Sequence, residues 1–301
     1  PYPSPVATGE GLYRGRGAIP RESGEGKPIA MSENVGGAYL HPAPAGAKRV
    51  TITGAAGEIG SSMAAHLASR YALRLVYNRS VPAIVADAVA AAKSSGRPVE
   101  ITGGHEVAVA DITDLDHVTE AVRGTDAILH LAAVPSVQAP WKAVLDANIQ
   151  GCYTAYEGAL RAGVPRVVFA SSNHASGFYE RDGIPTGPDL PVRPDGYYGV
   201  SKVFGEALGR FYSEGHGLAV ICLRIGSFQP RPRDTRQLAT WLSHRDMAQL
   251  AWRSIETPVT YGVFYGISGN TRRYWDISSA MTVLGYTPED DGETYAADFD
   301  S

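Results

Sequence analysis

Cysteine is scarce in this chain of 301 residues, which contains only Cys152 and Cys222. Two cysteines are too few for a disulfide framework, and no C-x-x-C spacing indicates a zinc or redox site. We therefore expect no metal site, and the reducing cytoplasm is the compartment that fits this composition best.

Long hydrophobic runs are also missing. No stretch reaches the roughly 18 uninterrupted apolar residues of a membrane helix, and no signal peptide precedes a small-residue cleavage site. An excess of positive charge is missing too, since the formal net charge is −4 and the Lys and Arg residues are scattered. A nucleic-acid backbone would need a basic field. The sequence thus predicts a soluble protein that binds neither nucleic acid nor membranes.

Residues 1–47 have little hydrophobic periodicity and hold seven Pro and nine Gly. Such a segment cannot offset its ordering entropy with a core of its own. We expect it to be an N-terminal arm or leader, or an arm that packs on a neighbouring subunit, and we expect the fold to begin at Lys48.

From Lys48 onward, short β-branched runs alternate with segments of helical spacing. Strands are predicted at residues 49–53, 73–77, 107–110, 127–131, 166–170 and 218–223, and helices at 58–69 and 141–162. Repeated βαβ units form a mostly parallel, doubly wound sheet. We therefore expect a Rossmann-type α/β domain over residues 48–226.

The alternation breaks after about Ser227. A loop is predicted at 229–233, a helix at 240–252 and a further strand at 259–267. We expect residues 227–301 to form mostly a small C-terminal lobe that covers the substrate.

Three glycines directly follow the first predicted strand and open the first predicted helix: Gly54, Gly57 and Gly60. At such a turn, backbone N–H groups and the helix dipole can hold a pyrophosphate. Glycines also mark ordinary turns, so it is this context that favours a dinucleotide site. The G-x-x-G-x-x-G form resembles the extended short-chain dehydrogenases rather than other Rossmann enzymes.

That resemblance implies further cofactor contacts. They would come from Ala56, Glu58 and Ile59 in the glycine run, from Asp111 and Ile112 as an adenine-contacting pair, and from Leu131, Ala132 and Ala133 beside the nicotinamide ribose.

The second predicted strand leads into Asn78 and Arg79. NAD enzymes normally place a carboxylate here, which accepts from the ribose 2′-hydroxyl and repels a 2′-phosphate. Asn78 can still hydrogen-bond the 2′-hydroxyl but does not repel a 2′-phosphate. Arg79 could bind that phosphate, or it could stack on the adenine or face solvent. The cofactor is therefore NAD or NADP, with NADP at least accepted.

A proton-transfer site is indicated by Tyr198 and Lys202, which follow Ser172 at the end of a predicted strand. Tyrosine is a poor base at neutral pH, but an ammonium group one helical turn away favours its phenolate. Tyr197 lacks such a partner, because its i+4 neighbour is Ser201. Ser172 would hydrogen-bond the substrate hydroxyl, and Asn148 resembles the helix asparagine that keeps a water relay in place in this superfamily.

Four longer runs are similar to the uronate dehydrogenases: Ser-Ser-Asn-His at 171–174, residues 193–202, Arg-Ile-Gly-Ser at 224–227 and residues 240–246. The resemblance covers residues 48 to about 290. It implies oxidation of the anomeric hydroxyl of a hexuronate to an aldarolactone. It also implies that the sugar is bound by Ser136, Ser172, Asn173, His174, Tyr198, Ser227 and Arg236.

The alternatives concern the anion and the chemistry. Residues 139–141, 265–268 and 284–286 also resemble archaeal-type glucose-6-phosphate dehydrogenase, and Arg231, Arg233 and Arg236 crowd one loop. A phosphate or sulfonate at the sixth carbon is therefore a second hypothesis, as in glucose 6-phosphate or sulfoquinovose. A dinucleotide sensor without catalysis is a third. Arg236 could instead belong to a surface salt bridge, and His174 could be a packed strand-end residue.

Members of this superfamily usually dimerise through two long helices. Here these would be residues 141–162 and 198–212, where Ala155, Ala159 and Ala207 would permit a close approach. We expect a homodimer or a higher homo-oligomer, although small residues also suit the packing of a helix on a sheet.

Overall fold

The computed structural model describes residues 42–78, 85–95, 98–101 and 104–299. Most of the predicted arm, and Arg79, lie outside this part of the chain. Within it, eight strands form one sheet: β1 Arg49–Thr53, β2 Ala72–Tyr77, β3 Val99–Glu100, β4 Glu106–Val109, β5 Ala127–His130, β6 Arg166–Ser172, β7 Ala219–Ile225 and β10 Tyr261–Gly266. The other two strands, β8 Ser227–Phe228 and β9 Trp241–Leu242, form a small parallel pair.

The strand order in the main sheet is β10-β7-β6-β5-β1-β2-β4-β3. All neighbours are parallel except β3, which pairs antiparallel with β4 at one edge. The chain order reverses between β1 and β5, and in open α/β sheets ligands bind at the carboxyl ends of the strands beside such a reversal. The predicted Rossmann-type doubly wound fold is confirmed.

Helices flank the sheet and carry the connections. They are α1 Glu58–Leu67, α2 Ala86–Ser95, α3 Leu115–Val122, α4 Trp141–Val144, α5 Gly151–Ala162, α6 Gly177–Arg181, α7 Tyr197–His216, α8 Gln237–Thr240, α9 His244–Glu256 and α10 Ser278–Leu284. A π-helical segment, Leu145–Gln150, joins α4 to α5, and 3₁₀ turns span Asn173–Ser176 and Gly292–Asp298.

The core has two layers because side chains alternate along each strand. On one face, Leu129, Val168 and Ile221 belong to a buried cluster that also takes in residues of α1 and α9. On the other face, Ile128, Val167 and Val220 belong to a second cluster with residues of α3, α5 and α7. Each central strand is therefore covered on both sides, which explains its continuous run of apolar residues.

Three details differ from the sequence-based expectations. The helix predicted at 141–162 is interrupted by the π-helical segment. The helix predicted from Thr240 begins at His244, because Ser243 caps it by accepting from the Asp246 N–H at 3.1 Å, while β9 precedes the cap. The strand predicted for the lobe pairs in parallel with β7 at the edge of the main sheet. Residues 227–301 therefore complete the sheet as well as adding to the cleft.

Within the described part of the chain, no helix combines the length and the apolar character needed to cross a membrane. The same residues contain no group of three or more His, Cys, Asp or Glu side chains placed to hold a metal ion.

Candidate active site

A cleft of about 1200 Å³ opens at the carboxyl ends of the central strands. Thr53 at the end of β1, Ser172 at the end of β6 and Ile225 at the end of β7 line it. Pockets for a single small ligand usually measure about 300–1000 Å³. The cleft is therefore large enough for a dinucleotide and a second, smaller molecule.

The glycine run has the backbone shape that its spacing predicts. Gly54 has φ +68°, and a Cβ there would lie 2.8 Å from the Ala132 nitrogen. A Cβ on Gly60 would lie 2.2 Å from the Gly54 carbonyl oxygen. Helix α1 begins directly after Gly57, and its N-terminal turn faces the cleft through Glu58 and Ile59. This narrow turn at a helix N-terminus fits a dinucleotide pyrophosphate.

Thr53 connects the glycine run to the loop after β5. Its Oγ1 accepts from the N–H groups of Leu131 and Ala132 at 3.1 and 3.2 Å and lies 2.9 Å from His130 Nδ1. Burial, with a smaller contribution from the charge of Lys202, lowers the pKa of His130 to about 3. His130 is therefore neutral at neutral pH, and this network fixes two walls of the cleft to each other.

The other residues predicted to meet the cofactor lie along the same cleft. Ala56, Asn78, Asp111, Ile112, Ala132 and Ala133 all line it. The Asp111 carboxylate accepts from the N–H and the hydroxyl of Thr113 at 2.9 and 2.8 Å. A smaller cavity of about 320 Å³ shares Asn78 and Asp111 and adds Lys93 to its wall.

Tyr198 and Lys202 face the cleft from the first turns of α7. The Lys202 ammonium lies 5.3 Å from the Tyr198 ring centroid and donates to the Ala170 carbonyl oxygen at 2.7 Å. Tyr197 is absent from the cleft lining and is 57% exposed. The structure thus brings the predicted tyrosine and lysine together.

The two serines at the end of β6 point to different partners. Ser171 Oγ donates to the buried Glu206 carboxylate at 2.6 Å, where Arg224 also binds. Ser172 caps the following 3₁₀ turn by accepting from the His174 N–H at 3.3 Å, and it lines the cleft. Ser172 is therefore the serine whose hydroxyl can meet a substrate beside Tyr198.

Asn148 lies behind the cleft, within the π-helical segment. Its Oδ1 accepts from the Val134 N–H at 2.8 Å, and its Nδ2 donates to the Val134 carbonyl oxygen and to Ser201 Oγ at 3.2 and 3.1 Å. The side chain thus ties the loop after β5 to α7. Its role in a water relay stays a prediction.

Asn173 and His174 line the cleft beside the tyrosine. Asn173 Nδ2 is buried and has no hydrogen-bond partner among the described residues, so this donor is available to a ligand. His174 Nδ1 lies 2.7 Å from Asp195 Oδ2, and its ring meets that of Tyr198 edge-on at 5.8 Å. Because Asp195 occupies Nδ1, Nε2 is the nitrogen that can meet a ligand.

Asp195 has no role in the sequence-based site, although it stands in the run that resembles the uronate dehydrogenases. It reaches His174 only because Gly177 has no side chain, since a Cβ there would lie 2.0 Å from Asp195 Oδ2. The pairing joins residues 21 positions apart, and no spacing rule would have found it.

Arg236 and Ser227 also line the cleft. Arg236 Nη1 donates to Ser227 Oγ at 3.3 Å, and Ser227 Oγ lies 2.8 Å from Thr240 Oγ1. The opposite edge of the guanidinium binds both carboxylate oxygens of Glu180. Arg236 therefore has a salt bridge and also faces the cleft, and Glu180 is a neighbour that the sequence did not indicate.

Ser136 is the predicted sugar-binding residue that the structure does not bring to the others. It is exposed and absent from the cleft lining. Its loop folds on itself, because Ser136 Oγ accepts from the Gln138 N–H at 3.2 Å and its carbonyl oxygen accepts from the Ala139 N–H at 3.1 Å. Phe228, Gln229 and Gln237 line the cleft instead and were missed, since no motif marks them.

Comparison with known proteins assigns the chain to a family. Residues 50–249 match the model of the NAD dependent epimerase/dehydratase family. The uronate dehydrogenase of Pseudomonas syringae pv. tomato is 44% identical over 201 residues, which cover 66% of this chain and 72% of that protein. The NAD-dependent glucose-6-phosphate dehydrogenase of Haloferax volcanii is 37% identical, covering 82% and 95%. The crystal structure of uronate dehydrogenase from Agrobacterium tumefaciens has a TM-score of 0.73 at 37% identity, covering 83% and 88%.

Proposed function

Because the chain belongs to the NAD-dependent epimerase/dehydratase family and is an NAD-dependent sugar dehydrogenase, we propose that it oxidises the anomeric hydroxyl of a hexuronate. D-glucuronate and D-galacturonate are the proposed substrates, and the aldarolactone is the product. One observation carries the proposal: a single cleft holds Tyr198 and Lys202 at one position and Arg236 with Ser227 at another.

Bound NAD would supply the hydride acceptor at its nicotinamide ring. Gly54, Gly57 and Gly60 and the N-terminus of α1 would hold the pyrophosphate, and Lys202 would hold the ribose beside Tyr198. Asn78 lines the cleft and would hydrogen-bond the adenosine ribose. Because its amide does not repel a 2′-phosphate, acceptance of NADP as well as NAD is part of the proposal.

Tyr198, as phenolate, would take the proton from the anomeric hydroxyl while the hydride leaves the same carbon. The Lys202 ammonium would stabilise negative charge that develops on the phenol oxygen, since the lysine is 4% exposed and held by the Ala170 carbonyl oxygen. Ser172 would donate to or accept from the same substrate oxygen. Loss of one proton and one hydride turns the hemiacetal carbon into the lactone carbonyl.

The remaining polar groups would orient the sugar. Asn173 Nδ2 and His174 Nε2 can meet ring hydroxyls near Tyr198, since Asp195 holds the imidazole in place. Arg236 Nη1 and Ser227 Oγ can meet the carboxylate at the other end of the sugar. A role for Ser136 in the sugar site is not part of the proposal, because its side chain lies outside the cleft.

A sugar phosphate or sulfo-sugar is the second candidate, favoured by the 37% identity to the Haloferax volcanii enzyme. The arrangement of the arginines supports a carboxylate more than a phosphate. Arg231 is directed away to Asp298 at 3.7 Å, and neither Arg231 nor Arg233 lines the cleft. Only Arg236 of the three lies where it could meet the substrate.

The test is to follow formation of the reduced cofactor with D-glucuronate, D-galacturonate, glucose 6-phosphate and sulfoquinovose, each with NAD and with NADP. We expect rapid reduction with a hexuronate and NAD. Activity with the phosphate or the sulfonate alone would replace the hexuronate assignment by the second candidate. Equal rates with both cofactors would support acceptance of NADP. Localisation in the cytoplasm stays a prediction.

A further inference from the structure

Glu180 reaches Arg236 from behind the cleft. Its Oε1 accepts from Nε, and its Oε2 accepts from Nη2 at 2.8 Å, so one whole edge of the guanidinium is bound. Glu180 itself does not line the cleft, whereas Arg236 and Ser227 do. Of the five N–H donors of the arginine, Glu180 takes two and Ser227 Oγ takes one. Glu180 and Ser227 therefore leave one donor on Nη1 and one on Nη2, and Arg236 itself lines the cleft.

The pair carries no net charge at neutral pH. Burial alone would raise the pKa of Glu180, but hydrogen bonds from Arg236 and Tyr274 outweigh burial and lower the pKa below its ordinary value. The carboxylate is therefore ionised. The hydrogen bond with Glu180 likewise raises the pKa of Arg236, which stays protonated. With side chains 22% and 43% exposed, the two charges are only partly screened by water.

We propose that Glu180 is a specificity-determining residue, which neutralises Arg236 so that the acid-binding end of the cleft favours a monoanionic carboxylate over a dianionic phosphate. The inference rests on the proposed function, because it requires that the sixth carbon of the sugar lies at Arg236.

The physical reason is that a Coulomb energy scales with the charge of the ligand. A sugar phosphate carries a charge of about −1.5 to −2 at pH 7, a hexuronate carries −1, and a neutral aldose carries none. The charge of Glu180 therefore repels a phosphate nearly twice as strongly as a carboxylate at the same place. Arg236 and Ser227 still offer directed hydrogen bonds, which suit a planar carboxylate.

The experiment compares Glu180→Gln with the wild-type protein. Glutamine keeps the size of the side chain and removes its charge. The matched control is Asp182→Asn, which removes one negative charge just beyond α6, where Asp182 binds Arg181 and Arg193 rather than Arg236. Steady-state kcat/KM is measured with NAD for D-glucuronate, glucose 6-phosphate and D-glucose.

We expect Glu180→Gln to raise the ratio of kcat/KM for glucose 6-phosphate to that for glucuronate by about tenfold, or about 1.4 kcal/mol. The value for glucose should not change, and Asp182→Asn should keep the wild-type ratio. An unchanged ratio in Glu180→Gln, or an equal loss with both anions, would overturn the proposal and leave Glu180 as a structural partner of Arg236.

A binding measurement on the wild-type protein does not depend on the folding of a variant or on turnover. Calorimetry of the NADH-loaded protein should show tighter binding of glucuronate than of glucose 6-phosphate. Tighter binding of the phosphate, or binding of neither anion, would overturn the inference. The proposed function fails separately, if glucuronate gives no reduced cofactor. If glucuronate is turned over but Glu180→Gln leaves the ratio of kcat/KM for the two anions unchanged, only the inference about Glu180 is overturned.

Discussion

The ammonium of Lys202 lies 5.3 Å from the centre of the Tyr198 ring and is anchored on the Ala170 carbonyl oxygen at 2.7 Å. Strand β6 therefore positions the charge, and helix α7 positions the phenol. Because the lysine side chain is buried, its charge acts on the ring without much screening by water.

Replacement of Tyr198 by phenylalanine should greatly reduce turnover and spare cofactor binding. Loss of a general base typically costs about 10²- to 10⁴-fold in rate, and the phenyl ring keeps the packing against His174. The measurements are kcat with a hexuronate and NADH binding by fluorescence. Tyr197→Phe is the control, because Tyr197 lies outside the cleft. A Tyr198→Phe protein with wild-type turnover would exclude the proposed mechanism, and cofactor binding without any turnover in the wild-type protein would favour a sensor.

Replacement of Asp195 by asparagine should weaken sugar binding through His174. The asparagine amide has no charge, so it holds the His174 ring less firmly through Nδ1 than the Asp195 carboxylate does. His174 Nε2 would then lose its fixed orientation toward the sugar. We expect KM for the hexuronate to rise about tenfold, or about 1.4 kcal/mol, while NADH binding stays unchanged. Asp189→Asn is the control, because Asp189 is exposed and does not line the cleft. Loss of NADH binding in Asp195→Asn would instead mean that Asp195 supports the fold of the cleft.

Replacement of Gly60 by alanine should prevent cofactor binding. The new Cβ would lie 2.2 Å from the Gly54 carbonyl oxygen, so the backbone of the glycine run must move. We expect a loss of NADH affinity together with a lower melting temperature. Gly215→Ala is the matched control, since the nearest atom there belongs to the Phe211 side chain at 3.8 Å and alanine favours a helix. Normal affinity in Gly60→Ala would contradict the assignment of this turn to the pyrophosphate.

We predict that two copies associate through the helices on one side of the sheet. Of the three alanines expected to allow this approach, only one is exposed. Ala155 and Ala159 are 1% and 0% exposed within the chain, with Ala159 packed in the core on the sheet, whereas Ala207 is exposed. The exposed apolar residues on these helices are Trp141, Leu145, Tyr153, Tyr197, Val200 and Phe211. Exposed aromatic side chains of this kind suit an interface.

A charge on this surface should therefore shift the protein toward the monomer. We expect Phe211→Glu, at a position 58% exposed, to lower the mass measured by light scattering. Met281→Glu, at an equally apolar exposed position on α10, should leave the mass unchanged. A monomeric wild-type protein, or a Phe211→Glu protein with the wild-type mass, would exclude this interface.

Features that depend on neighbours along the chain could be predicted from the amino-acid sequence alone. The predicted strands and the parallel sheet follow from runs of β-branched residues, because a strand covered on both faces must be apolar throughout. Local geometry also explains the glycine turn between β1 and α1, since the glycines are close together in sequence. It explains the pairing of Tyr198 with Lys202 as well, because residues i and i+4 lie on the same face of a helix. The family, the fold and the class of reaction could be predicted from these signals.

Contacts between side chains that are distant in sequence could not be predicted without the folded structure. Glu180 and Arg236 are 56 residues apart, and His174 and Asp195 are 21 apart, so their pairing depends on how the segments after β6 and β7 pack over the cleft. The same packing leaves Ser136 exposed outside the cleft and brings β10 to the edge of the main sheet. The sequence shows which charges and hydroxyls are present, but their electrostatic effect depends on distances and burial that exist only in the folded chain.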